Sequence, residues 1–573
     1  MNTSPGTSYN LGGRMIMRHL IIGLYVLVLA APSYVTGQPA PYSMLDPKPY
    51  NPETDPNIDM FMSHWNESSP QLLHGALVER VIFTPLEGDP LKPARRGAVL
   101  ISIKKLSHAL LNADTTTPPI TLKGEQEIFC IDSGQGTITA GGKTIGLHNG
   151  VIVLVPPDLE YVMKNTGGDP LGMYVIVEPI PEGFVPKKGL VTRDDNLEPL
   201  GGTTGHWCHI TKAVFTKEDG LASLTGLCPV WFDPMTMGQP HSHGVGVEEI
   251  WFSLEGESTI LLGKQLRAFP PGTAYKIPPN GTTPHSTINV TDKPIKVFWM
   301  MKNVAYEPPP YSMLDPKPYD PATDPDIDMY MGSWLQSMPV KTHGALVERD
   351  ILTRGDPENP PVKGAVLSYA GRFTRASLGA RETTAPVTLS GEQEIFYVLS
   401  GRGKISAGKK TAELRPGIAV LMPPGIEFTL ENTGDETLTM YLIADPCPDG
   451  FKPLREMTVV DENIQKWNTE NPHWVGLSKT LFGTGSGLGT LSTVLTVQLE
   501  PMTFFHPHSH GEGIEEVWTG ISGDIYVLLG KQIRHQEPGT AYLIPPNGTT
   551  PHGNFNVSGD RIKLLYFSRF PQQ

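Results

Sequence analysis

The sequence predicts an all-β protein made of two similar copies, and three observations support this prediction. Glycine (60) and proline (56) together make up about a fifth of the 573 residues, a turn-rich composition that is typical of β-proteins. Short β-rich segments such as IVLV, KVFWMM and IKLLYF alternate with turns of Gly, Pro, Asn and Asp. The decapeptide PYSMLDPKPY occurs twice, at residues 41–50 and again at residues 310–319.

The two copies resemble each other along their whole length. HGALVER follows the decapeptide in both, starting at His74 and at His343, and the segments GEQEIF and LLGKQ also recur. A period this long indicates duplicated domains and not a solenoid. Within each copy, two segments share a strand that begins with Glu, a glycine seven residues later, a PP turn and an Asn. We therefore expect four related β-modules, two in each copy.

The first residues have the pattern of an export signal. Arg14 and Arg18 precede the apolar segment at residues 20–31, and small residues follow, so we expect a signal peptide that is cleaved after Gly37. No later segment is long and apolar enough to cross a bilayer. We expect a secreted, periplasmic or extracellular protein that has no membrane contact after cleavage. The expected parts are a signal peptide (1–37), a helix with module 1 (38–195), module 2 (196–304), a helix with module 3 (305–462) and module 4 (463–573).

Charge and cysteine content exclude several classes of protein. The formal net charge is −14, and an acidic surface argues against nucleic acid or anionic membranes as partners. Four cysteines are too few for a disulfide scaffold. Cys208 and Cys228 lie on either side of the turn-like KEDG at residues 217–220, so a hairpin would bring them close together. Both a disulfide and two buried free thiols are compatible with this pattern.

Each copy opens with a segment that predicts a short helix. In DPNIDMFMSHW (residues 55–65), Asp55 suits the N-cap and Pro56 the first helical position. The apolar residues that follow have helical spacing: Ile58, Phe61, Met62 and Trp65. DPDIDMYMGSW (residues 324–334) repeats the pattern in the second copy.

The motif with the clearest chemistry is PHSHGVGVEEIW at residues 240–251. His241 and His243 are two residues apart, so in a strand they point to the same face. Glu249 follows, and His285 stands downstream, four residues before Asn289. The second copy repeats the four polar residues in the same order, as His508, His510, Glu516 and His552.

These motifs resemble those of the cupin superfamily, whose members are small antiparallel jelly-roll β-barrels. A cupin has an HxH pair followed by Glu and then Gly, and a later turn followed by His and, four residues on, Asn. The resemblance implies two bicupins in tandem with up to two metal ions per chain, held by the eight residues named above. Here the second His and the Glu are one residue further apart than usual, which leaves Glu248 and Glu515 as alternatives. The seven-residue spacing to glycine favours Glu249 and Glu516.

The first module of each copy has lost this set. Glu127 and Glu394 remain, but the positions expected for the HxH pair hold Pro119 and Thr121, and Pro386 and Thr388. Tyr161 and Phe428 occupy the position of the third histidine. We expect metal in the second and fourth modules and not in the first and third.

Three imidazoles and one carboxylate suit a divalent transition metal, namely manganese, iron, nickel, copper or zinc. The net charge near +1 and the open coordination positions favour a small oxygen-bearing anion as ligand or substrate. Trp251, Tyr275, Trp518 and Tyr542 are candidates for the wall of the substrate pocket, or else for core packing. No catalytic acid or base is identified, and Glu248 and Glu515 are only weak candidates.

Two functions follow from the resemblance. One is a metalloenzyme that acts on a small oxygen-rich anionic or enolisable substrate, like oxalate decarboxylases and oxidases or cupin dioxygenases. The other is a non-catalytic ligand-binding or storage-type cupin. The full ligand sets favour the first, while oligomerisation stays open.

Overall fold

A computed structural model describes residues 45–201, 206–212, 214–303, 313–469 and 473–571. The expected signal peptide lies outside this range. The described chain forms four two-sheet β-structures, here called barrels 1 to 4 in chain order, as the sequence predicted. Barrels 1 and 2 belong to copy 1, and barrels 3 and 4 belong to copy 2. The domain boundaries stay a prediction.

Barrel 1 consists of a larger and a smaller sheet, antiparallel except for Ala98–Leu100, which runs parallel to Leu77–Pro85. In spatial order the larger sheet contains Val191–Asp194, Val151–Val155, Glu125–Ser133, Leu171–Pro179, Lys105–Leu111, Leu77–Pro85 and Gln71–Leu73, with Ala98–Leu100 beside Leu77–Pro85. The smaller sheet contains Lys143–His148, Gln135–Ala140 and Tyr161–Asn165. A separate hairpin joins Gly88–Asp89 to Lys92–Pro93.

Barrel 2 has the same two-sheet plan and contains the first HxH motif. Its larger sheet contains Met62–His64, Thr273–Lys276, Glu248–Glu255, Ile295–Lys302, Gly226–Phe232 and Ile210–Thr211, with Phe215–Thr216 beside Gly226–Phe232. Its smaller sheet contains Thr236–Met237, His285–Asn289, Thr259–Leu262 and Gln265–Ala268. The strand Met62–His64 comes from the start of the copy, so barrel 2 includes residues that precede barrel 1 in sequence.

Barrels 3 and 4 repeat this arrangement in copy 2. The larger sheet of barrel 3 contains Val340–Thr342, Leu346–Arg354, Arg372–Leu378, Leu438–Pro446, Glu392–Ser400, Ile418–Met422 and Thr458–Asp461, with Ala365–Leu367 at the side, and the smaller contains Val387–Thr388, Glu427–Asn432, Gly403–Ala407 and Lys410–Leu414. The larger sheet of barrel 4 contains Met331–Ser333, Thr540–Leu543, Glu515–Ser522, Ile562–Arg569, Thr493–Leu499 and Leu477–Phe482, and the smaller contains Thr503–Phe504, His552–Asn556, Tyr526–Leu529 and Gln532–His535.

The helix predicted at residues 55–65 is wrong. The chain instead forms a 3-10 turn at Ile58–Phe61, the strand Met62–His64 and a second turn at Trp65–Glu67. The strand pairs with Thr273–Lys276, so sheet hydrogen bonds replace the helical ones. Ile58, Phe61 and Met62 are buried, whereas Trp65 is partly buried. The remaining 3-10 turns are Lys217–Asp219, Ile327–Tyr330, Trp334–Gln336 and Glu462–Ile464. No helix among the described residues has the length and hydropathy needed to cross a bilayer.

The cysteines are free thiols. The hairpin around residues 217–220 sets Phe215 opposite Leu227, so its centre lies about three residues later than a Cys208–Cys228 pairing requires. The Cys208 thiol donates to the carbonyl of Met237 at 3.0 Å instead. Of the two alternatives, the structure therefore shows free thiols.

The barrels pack in pairs through apolar surfaces. Within copy 1, Tyr174 stacks on Phe252 with ring centroids 4.5 Å apart, and its hydroxyl donates to the carbonyl of Ser253 at 3.0 Å. Barrels 2 and 4 also contact each other, because strands of their smaller sheets lie side by side. Twelve buried residues from both copies form this core: Leu45, Trp207, Met237, Leu261, Leu266, Ile288, Leu314, Trp474, Phe504, Leu528, Ile533 and Phe555.

Candidate metal centres

In barrel 2, three separate segments bring the predicted ligands together. His241 and His285 form an isolated antiparallel bridge, in which the amide of His285 donates to the carbonyl of His241 at 2.9 Å. Glu249 lies on the strand Glu248–Glu255 of the opposing sheet. His508 and His552 form the same bridge in barrel 4.

Each ligand carboxylate lies between two imidazoles. In barrel 2, Oε2 of Glu249 is 2.8 Å from Nε2 of His243, and Oε1 is 3.1 Å from Nε2 of His285. In barrel 4, the two oxygens of Glu516 are each 3.1 Å from an Nε2 atom, one of His510 and one of His552. His243 and His510 retain 20% and 13% exposure, and the other side chains of the two clusters are buried.

The imidazoles are oriented with Nε2 toward the centre of each cluster. Nδ1 of His241 donates to the carbonyl of Gln239 at 2.8 Å, and Nδ1 of His508 donates to the carbonyl of His506 at 2.9 Å. A backbone acceptor on one nitrogen fixes the tautomer and leaves the other nitrogen for a metal. The buried Nε2 atoms of His243, His510 and His552 have no well-directed hydrogen bond.

The charge distribution also suits a cation. Burial alone would raise the pKa of Glu249, but the charge and hydrogen bond of His243, whose own pKa is raised, and the hydrogen bond of His285 outweigh it and hold the Glu249 pKa well below its usual value. Glu516 is affected in the same way. Burial, followed by neighbouring imidazoles, lowers the pKa of His241 and of His508 well below the usual value, so both rings are neutral. Neutral imidazole and ionised carboxylate are the forms that bind a metal.

Two clusters have separations close to those that a metal needs. The ligand atoms of His508, His510, Glu516 and His552 all lie within 4.8 Å of one another, as do those of His241, His243 and His285. A metal at about 2.1 Å from each ligand atom holds the ligand atoms up to about 4.2 Å apart. Small side-chain shifts would therefore let either cluster coordinate a metal. A third group, His473, His506 and His508, overlaps the set in barrel 4.

The predicted pocket tryptophans contact the ligand carboxylates directly. Nε1 of Trp251 donates to Oε1 of Glu249 at 2.6 Å, and Nε1 of Trp518 donates to Oε1 of Glu516 at 2.7 Å. These indoles therefore orient the carboxylates, a role that the sequence did not indicate.

The predicted pocket tyrosines lie further from the carboxylates, and both are fully buried. The Tyr275 hydroxyl is 3.5 Å from that of Thr287, whereas the Tyr542 hydroxyl donates to Oδ1 of Asn554 at 2.8 Å. Their contacts show packing and hydrogen bonding deep in each barrel.

Glu248 and Glu515 do not lie at the clusters, which corrects their place among the catalytic candidates and the alternative ligands. They point to the opposite face of the strand from Glu249 and Glu516, as alternation requires. The oxygens of Glu248 accept from the amides of Ile101 (2.8 Å) and Ser102 (2.6 Å) in barrel 1. Those of Glu515 accept from the amides of residues 368–370 in barrel 3. Glu248 thus links barrel 2 to barrel 1, and Glu515 links barrel 4 to barrel 3.

The two centres differ in residues that sequence analysis did not single out. In barrel 4, the Tyr566 hydroxyl donates to Oε2 of Glu516 at 3.0 Å, whereas Trp299 occupies the equivalent position in barrel 2. This contact could have been predicted only by knowing that Ile562–Arg569 pairs with Glu515–Ser522, the strand that carries Glu516.

A second difference is a paired exchange of a large and a small residue. Barrel 2 has His209, whose ring lies 5.7 Å from that of Trp251, and Gly238 beside it. At the equivalent positions barrel 4 has Gly476 and Phe505. The Phe505 ring lies 5.2 Å from that of Trp518. An imidazole in one barrel and a phenyl ring in the other therefore border the indole that orients the ligand.

In barrel 1, a histidine from outside the HxH position partners the remaining glutamate. Nε2 of His74 is 3.1 Å from Oε1 of Glu127, and the Tyr161 hydroxyl donates to Oε2 at 2.6 Å. Burial lowers the pKa of His74, but the hydrogen bond and charge of Glu127 outweigh it, and the pKa is raised. The neighbouring carboxylate thus favours the protonated form of this imidazole.

Barrel 3 has the same arrangement with an added arginine. Nε2 of His343 is 3.1 Å from Oε2 of Glu394, and Arg372 donates to Oε1 at 2.6 Å. Phe428 lies beside the His343 ring, at 5.9 Å between centroids. In barrels 1 and 3, which lack the metal motif, the remaining glutamate therefore has hydrogen-bond and ion-pair partners within the chain.

The cupin domain family matches two segments, residues 230–301 in barrel 2 and residues 378–444 in barrel 3. Together with the duplicated two-sheet barrels, these matches decide the family. The chain contains cupin domains.

Among solved structures, this cupin is similar to a variant of oxalate decarboxylase from Bacillus subtilis, with 11% identity over 44% of this chain and 80% of that one (TM-score 0.33). It is also similar to vicilin from Corylus avellana (hazelnut), with 12% identity over 43% of this chain and 86% of that one (TM-score 0.34). AerE from Microcystis aeruginosa has 12% identity over 43% of this chain and 100% of that one (TM-score 0.32). These similarities assign no activity. A search of curated proteins finds no match.

Proposed function

We propose that this cupin is a metal-dependent enzyme, with one divalent transition metal in barrel 2 and one in barrel 4. Its substrate is a small oxygen-rich anion or an enolisable molecule. The observation that supports this is the pair of largely buried sets of three imidazoles and one carboxylate, in which each carboxylate lies 2.8–3.1 Å from two of the imidazoles. Manganese, iron, nickel, copper and zinc all accept such ligands.

The substrate class follows from charge. Three neutral imidazoles and one carboxylate around a dication leave a net charge of about +1 in a buried site, and burial strengthens its attraction for an anion. The bound metal would supply Lewis acidity toward a substrate oxygen. The chain's own residues hold the ligands in place, through the indoles of Trp251 and Trp518 and the backbone acceptors of His241 and His508.

Metal analysis of single-site variants tests the proposal. His243→Ala should remove about one metal equivalent from the purified full chain, His510→Ala should remove the other, and the double variant should bind neither, because each set has its own ligands. Thr121→Ala and Thr388→Ala are matched controls in barrels 1 and 3, and should retain both equivalents. Absence of metal after reconstitution with each of the five metals would contradict metal binding.

Activity separates an enzyme from a binding protein. The metal-loaded chain should release carbon dioxide or consume oxygen with oxalate or with other small carboxylates and enolisable acids, and each single variant should retain part of that rate. A fully loaded protein that turns over none of them would favour the non-catalytic ligand-binding or storage function.

We also propose that the protein is exported, on the pattern of residues 1–37 alone. A mature protein that begins at Gln38 by mass spectrometry is the expected outcome. An intact amino terminus on the cytoplasmic protein would contradict it.

A further inference from the structure

The amino-terminal segment of each copy lies on the metal barrel of the other copy. We call these segments the crossing straps; their described residues are Leu45 and Asp46 in copy 1, and Met313, Leu314 and Asp315 in copy 2. The amide of Leu314 donates to the carbonyl of Pro240 in barrel 2 at 3.1 Å. The amide of Leu45 donates to the carbonyl of Pro507 in barrel 4 at 3.2 Å. Both contacts adjoin the HxH motif of the opposite copy.

In barrel 2, a short series of contacts joins the strap to a predicted metal ligand. The carbonyl of Leu314 accepts from Nε2 of Gln239 at 2.5 Å. Oε1 of Gln239 lies 3.1 Å from Nδ1 of His206. The His206 ring stacks on the ligand His241, with centroids 4.6 Å apart and planes at 28°. Met313 of the same strap forms a β-bridge with His241.

Barrel 4 reaches its ligand through an imidazole at the position of Gln239. Nε2 of His506 donates to the carbonyl of Leu45 at 2.7 Å. Its ring lies parallel to that of the ligand His508, with centroids 5.0 Å apart and planes at 10°. His473 stacks on His508 as well, at 4.5 Å. The strap therefore fixes a ring that contacts the ligand.

A tryptophan anchors each strap beside these contacts. Nε1 of Trp207 donates to the carbonyl of Asp315, and Nε1 of Trp474 donates to that of Asp46, both at 2.7 Å. Both tryptophans have left-handed backbones, with φ of 64° and 65°. A bulky residue adopts this conformation only where its surroundings hold it there. Each tryptophan directly follows a stacking histidine, so the strap also constrains the backbone that carries that ring.

We propose that each crossing strap is a positioning element for the metal centre of the opposite copy. The strap of copy 2 holds His241 through Gln239 and His206, and the strap of copy 1 holds His508 through His506. This inference rests on the proposed metal binding. It makes the metal affinity of each barrel depend on a segment in the other half of the chain.

The test is a crosswise measurement on the full chain. His510→Ala leaves only barrel 2 to bind metal, and His243→Ala leaves only barrel 4. In each background, cobalt(II) affinity is measured by competition with a chelator, and the visible absorption of the bound cobalt reports the ligand geometry. Leu314→Ala keeps the backbone groups of the strap but removes the buried side chain that packs it in place. It should weaken binding about tenfold and shift the absorption when barrel 2 is the site, since changes behind a ligand typically cost 10–100-fold. Leu45→Ala is the matched control and should change neither quantity in that background.

With barrel 4 as the site, the two strap variants should exchange roles. Weakening by a strap change within the same copy, equal weakening by both, or no change would each overturn the inference while leaving metal binding intact. Absence of cobalt binding in both backgrounds, with the five biological metals also unbound, would overturn the proposed function and the inference together.

A second pair of variants acts through the contact itself and tests the inference even if a strap variant fails to fold. Gln239→Leu removes the donor to Leu314 and should weaken cobalt binding in barrel 2. Gln239→His introduces the residue that barrel 4 has, which can donate to the same carbonyl, and should restore the affinity to within about threefold of the unmodified value, a residual cost of about 0.6 kcal/mol. Equal affinity in all three chains would overturn the positioning role.

Discussion

The phenol of Tyr566 lies 3.0 Å from Oε2 of Glu516 and donates a hydrogen bond to it, so this predicted metal ligand is oriented from both of its oxygens. Trp518 holds Oε1. Tyr566→Phe should weaken metal binding in barrel 4 about tenfold, because partners of a ligand carboxylate set its direction. Chelator competition in the His243→Ala background measures this.

The control for this prediction is Trp299→Phe, at the equivalent position of barrel 2. The described residues include no hydrogen bond from Trp299 to Glu249, so Trp299→Phe should change metal affinity in the His510→Ala background by no more than about twofold. This is well below the tenfold loss, about 1.4 kcal/mol, expected for Tyr566→Phe. Equal losses in the two barrels would mean that packing, and not the phenol, sets the affinity.

The exchange between barrels predicts a coupled pair of substitutions. Gly238→Phe should destabilise the chain by about 1–3 kcal/mol, because its Cβ would lie 2.6 Å from Nε2 of His209. Adding His209→Gly should recover most of this loss, since barrel 4 has that combination as Gly476 and Phe505. Chemical denaturation of the four chains gives the coupling energy. Additive effects would show that the two side chains do not compete for one space.

Substitution of the adjacent residues Glu248 and Glu249 should have different effects, one on stability and the other on metal binding. Glu249→Ala should remove the metal of barrel 2, since it deletes a ligand. Glu248→Ala should leave metal content unchanged and cost about 2 kcal/mol of stability, because the amides of Ile101 and Ser102 lose their charged acceptor. Metal analysis and denaturation together distinguish them. Metal loss in Glu248→Ala with the fold intact would contradict the assignment of the two faces.

The histidines of barrels 1 and 3 predict a pH dependence. Burial lowers the pKa of His343, but Glu394 and Glu348 outweigh it and the pKa is raised. The folded state therefore binds this proton more tightly than the unfolded state, so its contribution is full below the unfolded pKa and is lost as pH rises through the folded pKa. In metal-free protein, the melting temperature should fall above about pH 6.5. The fall should be smaller in the His343→Gln variant; identical slopes would contradict the prediction.

The sequence was most informative where a motif recurs with fixed spacing. The eight predicted ligands come together because strand alternation aligns His241 with His243, and because the chain repeats the whole set. Local spacing also predicted Glu249 over Glu248 as the ligand. In the structure, Glu249 lies 2.8 Å from His243, whereas Glu248 accepts from the amide of Ile101.

Contacts between distant segments could not be predicted in this way. The apolar residues at 55–65 have helical spacing, and nothing in that spacing indicated that Met62–His64 would pair with Thr273–Lys276. This pairing with a distant strand makes the segment a strand. Tyr566 and His74 reach the carboxylates from strands whose neighbours are set by topology. The recurring decapeptide showed that both copies contain the same segment. It did not show that the segment of each copy contacts the barrel of the other copy.

The reciprocal crossing straps have the form of an isologous contact, in which one surface patch is used twice about a two-fold axis. A single copy would complete such contacts only with a second polypeptide, at a cost that depends on concentration. Fusion in one chain supplies the partner in cis. Fusion also allows the two halves to differ in sequence. A pair of identical subunits receives every substitution twice, whereas one continuous chain can have Gly238 in one barrel and Phe505 at the equivalent position of the other.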